Sequence, residues 1–156
     1  MVQARYKPVT PDQRLRDLSK EFRAFEREEA GPDRAARLAT FVRAAHQERQ
    51  LNMAMHAAQL CLDDDPDDPS LLIAAYLDGE EAPEEQLRAI SDLKDLARYI
   101  GREDVGEVAD ERLATTARAW VADGGDVERR YRLRTLTSLV SREFADDLRD
   151  ELDAKS

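Results

Sequence analysis

Apolar positions along this chain recur at steps of three and four residues, and no segment alternates as a half-buried strand would. Leu15, Leu18, Phe22 and Phe25 follow one another at such steps, giving a single stripe on one helix face. Thr10 is placed to be the N-cap of this helix, Pro11 suits its first position, and Gln13 would complete a capping box. Gly31-Pro32 ends it.

From Asp33 to Asp65 there is neither glycine nor proline. A single helix of that length is unusual in a globular domain, and the polar patch His46–Gln50 interrupts the apolar faces. A turn is therefore predicted near it. The stripe before it is Leu38, Phe41, Val42 and Ala45; the stripe after it is Leu51, Met55, Ala58 and Leu62. The next stretch, LCLDDDPDDPS (60–70), holds five aspartates and two prolines. Pro66 cannot continue a helix and pushes Asp65 out of the helical region. Asp68-Pro69 then reads as N-cap and first position of a new helix, whose positive dipole end suits the aspartates.

That helix is apolar on all sides (Leu71, Leu72, Ile73, Leu77) and is predicted to be buried, ending at Gly79. Pro83 opens the next, with Leu87, Ile90, Leu93, Ala97 and Ile100 inward and Gly101 as its stop. Another runs from about Glu103 to Ala122, with Val105, Val108, Leu113, Ala117 and Trp120 on one side. After DGGD (123–126), one long helix is predicted from about Val127 to Asp153, carrying Leu133, Leu136, Val140, Phe144, Leu148 and Leu152. At ~1.5 Å per residue it would be on the order of 40 Å long. About seven helices joined by short turns make an all-α bundle or stacked helical hairpins. They form one domain over residues 11–153, after a tail at residues 1–10.

Residues 35–66 resemble a tetratricopeptide repeat. Leu38, Phe41 and Ala45 would line its first helix, Ala54, Ala58 and Cys61 its second, and Pro66 would close the unit. Val42 departs from the pattern, which prefers a small residue there. A second, fainter unit over residues 69–100 keeps Ala74 and Leu77. The resemblance implies paired helices.

Charge is unevenly spread. Residues 1–62 hold 11 basic and 8 acidic side chains, residues 63–111 hold 4 and 17, and residues 112–156 hold 9 and 9, for a net charge of −10. A net negative protein repels phosphate backbones and anionic lipids. Arginine outnumbers lysine 20 to 4 and aspartate is abundant, a composition like that of salt-loving archaea or high-GC bacteria. The single cysteine, Cys61, excludes an internal disulfide. The opening MVQARYKPVT shows no apolar signal segment, and no run approaches the ~18 apolar residues of a membrane span. A soluble, cytoplasmic protein is expected.

Several patterns imitate chemistry. Asp63, Asp65 and Asp67 fall at the first three ligand positions of a calcium loop, but Asp68 stands where the sharp turn needs glycine and Ala74 where a bidentate glutamate is needed. Asp64, Asp65 and Asp68 spell DDxxD, as do Asp146, Asp147 and Asp150. That motif holds magnesium diphosphate in all-α prenyl synthases, which are about twice this length. Glu80, Glu81 and Glu84 with Glu107 and Asp110 resemble the EExxE…ExxD spacing of all-α nucleoside triphosphate pyrophosphatases. In that family the first triad lies within one helix, whereas here Gly79 and Pro83 put Glu80 and Glu81 in a turn. The resemblance implies magnesium held by Glu84, Glu107 and Asp110. His46, His56 and Cys61 have no recognised zinc spacing, and His56 and Cys61 fall in a helix expected to be core. The segment 96–113 imitates the start of a helix-turn-helix, but its second helix carries Glu103, Asp104, Glu107, Asp110 and Glu111, which a major groove would repel.

One basic cluster remains. Arg129, Arg130, Arg132 and Arg134 surround Tyr131 at the start of the last predicted helix, where cations oppose the helix dipole. Pairing with the acidic middle segment is the simplest account; the functional account is an anchor for an acidic partner or a nucleic-acid backbone. The sequence thus reads as a non-catalytic protein-interaction or regulatory module with no cofactor. Its partner would be another protein, docked at Arg129, Arg130, Arg132 and Arg134. A magnesium-dependent nucleotide hydrolase and a nucleic-acid-associated regulator are the alternatives.

Overall fold

The computed structural model describes residues 10–155. All of the expected N-terminal tail except Thr10 therefore lies outside the described residues. Among those residues there are eight helices and no strand, and no helix is long and apolar enough to cross a membrane. Contacts gather into two compact units that divide between Asp68 and Pro69.

The first unit holds α1 (Pro11–Arg27), α2 (Pro32–Gln47) and α3 (Leu51–Asp64). Thr10 caps α1 by accepting a hydrogen bond from the Gln13 backbone N–H at 3.1 Å. The box stays half made, because the Gln13 amide donates forward to Asp17 at 2.8 Å. The predicted turn falls at Glu48–Gln50. Arg49 is left-handed there, with φ 61°. Its N–H donates to the His46 carbonyl at 3.0 Å and the Gln50 N–H to that of Ala45 at 2.9 Å. This is a Schellman ending in which arginine holds the position glycine usually fills.

Leu38, Phe41, Val42 and Ala45 of α2 are buried as expected. On α3 the expected stripe is corrected: Ala54, Ala57, Ala58, Cys61 and Leu62 are buried, while Leu51 and Met55 are half-buried. Three alanines let α3 lie close against α2, and that close packing outweighs burying the longer side chains. His56 is correspondingly exposed, not in the core. On α1 only Leu18 and Phe25 are buried, and Leu15 is outside the core. The ring of Phe41 receives Phe22 and Phe25 at centroid distances of 5.9 and 5.7 Å.

The second unit holds α4 (Ser70–Leu77), α5 (Pro83–Ile100), α6 (Glu103–Ala122), α7 (Asp126–Leu139) and α8 (Arg142–Ala154). Pro69, not Asp68, occupies the cap position of α4, with φ −69° and ψ −9°. The expectation that α4 is buried on all sides is also corrected. Leu72, Ile73 and Tyr76 are buried, but Leu71 and Leu77 are half-buried and Ala74 is exposed. α5 and α6 form a hairpin. Gly101 ends α5 at φ 71°, with the Arg102 N–H on the Ala97 carbonyl and the Gly101 N–H on that of Arg98. Leu87, Ile90, Leu93, Leu96 and Ala97 face Val105, Ala109, Leu113, Ala117 and Val121 in the core. The α6 stripe therefore keeps steps of four, and leaves Val108 and Trp120 half-buried.

The long C-terminal helix is also corrected: it is two helices. Val140 leaves the helical region, with φ −119° and ψ −81°. Ser141 then caps α8 by accepting from the Phe144 N–H at 3.0 Å. Ser91 of α5 donates to the Leu139 carbonyl at 3.2 Å, satisfying one of the acceptors freed at the end of α7. A serine cap can hide inside an unbroken apolar period, and here it did. Leu136 and Leu148 are the buried leucines of the two helices.

Candidate functional site

The acidic stretch after α3 is built around Asp64. Its carboxylate is buried and receives the Arg34 guanidinium on both oxygens, at 2.6 and 2.7 Å. Arg34 is the one buried charged residue among the described residues. Its Nη1 also donates to the carbonyls of Phe25 and Glu28, at 3.0 and 2.9 Å, at the C-terminal end of α1. Asp64 and Phe25 thus meet through one side chain. Asp63 and Asp67 are exposed, and no group of three acidic, histidine or cysteine side chains poised for a metal occurs among the described residues. Burial, followed by Asp64, Asp65 and Asp68, pushes the Cys61 thiol up to about 12, so it stays protonated and donates to the Ala35 carbonyl at 3.2 Å. In the second DDxxD copy, Asp146 and Asp150 lie against Arg149, at 3.3 and 3.9 Å.

The carboxylates of the hydrolase resemblance are not brought together. Glu84 lies in the first turn of α5, at 3.6 Å from Arg88. Glu107 and Asp110 border an open groove at the other end of the hairpin, with Lys94, Arg98 and Arg102. Lys94, the partner of Asp110, lies about 15 Å along α5 from Glu84. Lys94 takes Asp110 at 2.6 Å.

The structure also separates the four arginines. α7 buries Leu136 and turns Val127, Arg130, Tyr131 and Arg134 outward, at steps of three and four. Val127 is 77% exposed and Tyr131 58%. Arg132 points the other way: its Nη1 donates to the Trp120 carbonyl at 2.6 Å and its guanidinium lies 5.5 Å over the Trp120 ring. Trp120 lies in the last turn of α6, where a cation suits the dipole. Arg129 is half-buried, with Nε enclosed and without a hydrogen bond. Arg130 and Arg134 form no ion pair among the described residues. The expected pairing of the cluster with the acidic middle segment is thus not what holds them.

Sequence reasoning missed Arg34. The signal was present: a cation in the first turn of a helix, unfavourable to the dipole, two residues after Pro32. The same signal at Arg129–Arg134 was read. No protein-family model, no curated protein and no solved structure matches the chain.

Proposed function

We propose that this chain is a non-catalytic protein-interaction module of the cytoplasm, built from helical hairpins of the tetratricopeptide type. Its docking surface is the outward face of α7. The observation that carries this reading is that face itself: two arginines without ion pairs among the described residues flank an exposed tyrosine and valine on one turn-matched stripe. Tyrosine and arginine are the residues most enriched at interface hot spots, and a soluble monomer gains nothing by exposing them together. The partner is a protein presenting carboxylates around an apolar side chain. Arg130 and Arg134 meet the carboxylates, while Arg132, held on Trp120, anchors the start of α7 so that the stripe keeps its direction.

A photo-crosslinking amino acid in place of Tyr131 tests the reading. The crosslinked protein is identified, purified and titrated against the parent and against Arg130→Glu with Arg134→Glu. At least a ten-fold loss of affinity, with a salt-dependent association rate, is expected. Equal affinity for the two chains overturns the reading. Salt-sensitive binding of a nucleic-acid duplex by the parent, lost in the same variant, transfers the surface to the nucleic-acid alternative.

A further inference from the structure

The face of α8 bears a charge pattern opposite to that of α7. α8 buries Ala145 and Leu148 and turns Glu143, Asp147 and Asp150 to solvent, again at steps of four and three. Glu143 and Asp147 form no ion pair among the described residues. Arg130 and Arg134 are separated by four residues of α7, and Glu143 and Asp147 by four residues of α8, so both pairs are spaced by about 6 Å along their helices. The two helices pack against each other in one unit, joined by Val140 and Ser141.

From this complementarity we infer that a second copy of the chain docks here. α7 of each copy lies on α8 of the other, with Arg130 and Arg134 facing Glu143 and Asp147 of the opposite chain. The inference rests on the reading of α7 as the interaction surface and names the occupant. A surface that carries both a patch and its complement closes on itself around a two-fold axis, using each patch twice. Val127 and Tyr131 lie between the charged rows, where they lose water on association. Two helices of about 20 Å give an interface at the low end of the specific range, below about 1,200 Å² in total. The dimer is therefore weak, and its charge pairs make it weaker in salt.

Sedimentation equilibrium of the intact chain at low and high salt tests this. The parent is expected to be dimeric near 100 μM in about 50 mM salt and to shift toward monomer at about 1 M. Two variants, Arg130→Glu with Arg134→Glu and Glu143→Arg with Asp147→Arg, are each expected to be monomeric. An equimolar mixture of the two is expected to regain the dimer, because every facing pair is then opposite in sign. Asp147→Arg alone, beyond the first turn of α8, replaces the second variant should circular dichroism show that variant unfolded. A monomeric parent at low salt, or folded variants that stay monomeric when mixed, overturns the inference. If the parent is monomeric but position 131 still crosslinks a different acidic protein, only the identity of the partner fails. If neither self-association nor crosslinking occurs, the reading of α7 as a docking surface fails as well.

Discussion

Arg34, in the first turn of α2, holds both carboxylate oxygens of Asp64, in the last turn of α3, at 2.6 and 2.7 Å. The same guanidinium closes the carbonyls of Phe25 and Glu28. A buried pair of this kind contributes little beyond a well-packed apolar pair, but removing one partner leaves a buried charge without compensation. Arg34→Ala is expected to cost about 3–5 kcal/mol in a denaturant titration. Arg34→Lys rescues little, since an ammonium lacks the planar fork that serves four acceptors at once. Joint replacement of Asp63, Asp65 and Asp67 by asparagine leaves the melting temperature close to that of the parent. Calcium at millimolar concentration shifts neither protein; a calcium-dependent rise confined to the parent would restore the metal reading of this stretch.

Arg49 sits at φ 61°, a conformation that costs a residue with a Cβ about 1–2 kcal/mol. Glycine there relieves the strain but loses more chain entropy on folding, about 0.5–1 kcal/mol. Arg49→Gly is therefore expected to stabilise by roughly 0.5–1 kcal/mol. Arg49→Val is expected to destabilise, because branching makes the left-handed region worse. A melting temperature that falls in Arg49→Gly contradicts this.

In α7 and α8, Arg130→Glu with Arg134→Glu is expected to leave the unfolding midpoint of the isolated monomer nearly unchanged, as exposed substitutions do. Leu136→Ala and Leu148→Ala remove side chains that are 0% and 4% exposed and each cost about 2–5 kcal/mol. A near-neutral Leu148→Ala would show that α8 is not packed as described.

Much of the fold was legible because helix punctuation is local. Thr10-Pro11, Pro83 and Gly101 act within one turn of themselves, and each marks a helix boundary as read, whereas Gly31-Pro32, read as the stop of α1, opens α2 after α1 has ended at Arg27. Two errors have separate physical causes. Ser141 starts a new helix through its own side-chain oxygen, and periodicity does not register that bond. On α3, Leu51 and Met55 looked like the core by size, yet alanines won because two backbones approach there. Which of four adjacent arginines face solvent was also illegible, since that depends on the position of Trp120 under Arg132. The outward stripe at 127, 130, 131 and 134 emerges only once the buried side of α7 is known.

The Arg102 guanidinium, hydrogen-bonded to Asp104 at 2.9 and 3.0 Å, holds that carboxyl below its ordinary 3.8. The folded state therefore releases this proton more readily than the unfolded one. The resulting stabilisation is complete above the ordinary value and is lost as pH falls through the lower folded value. Asp104 is partly exposed, so the effect is small, at most about 0.5 kcal/mol. The stability difference between the parent and Asp104→Asn is expected to shrink as pH falls from 7 toward 3. A difference that grows on acidification contradicts the sign.

Glu84 lies at the opposite end of the α5–α6 hairpin from Glu107 and Asp110, and one magnesium needs its carboxylates within about 5 Å of one another, given oxygen ligands at about 2.1 Å. Incubation with nucleoside triphosphates and magnesium or manganese is expected to yield no phosphate or diphosphate above background. Turnover abolished by Glu107→Gln in a folded protein would instead promote the hydrolase reading.

The slight anchoring of α1 has a consequence for how the first unit opens. Only Leu18 and Phe25 are buried, Phe22 stacks half-buried on Phe41, Arg14 reaches Glu48 from an exposed position and Arg34 holds the carbonyls at its far end. Its amide protons should therefore exchange with solvent by detachment of α1 alone, at a free energy well below that of unfolding α2 and α3. In Arg34→Ala, α1 is expected to exchange at nearly the rate of an isolated helix while the alanine-lined pair beneath it keeps more of its protection. One guanidinium then sets whether α1 belongs to the same cooperative unit as α2 and α3.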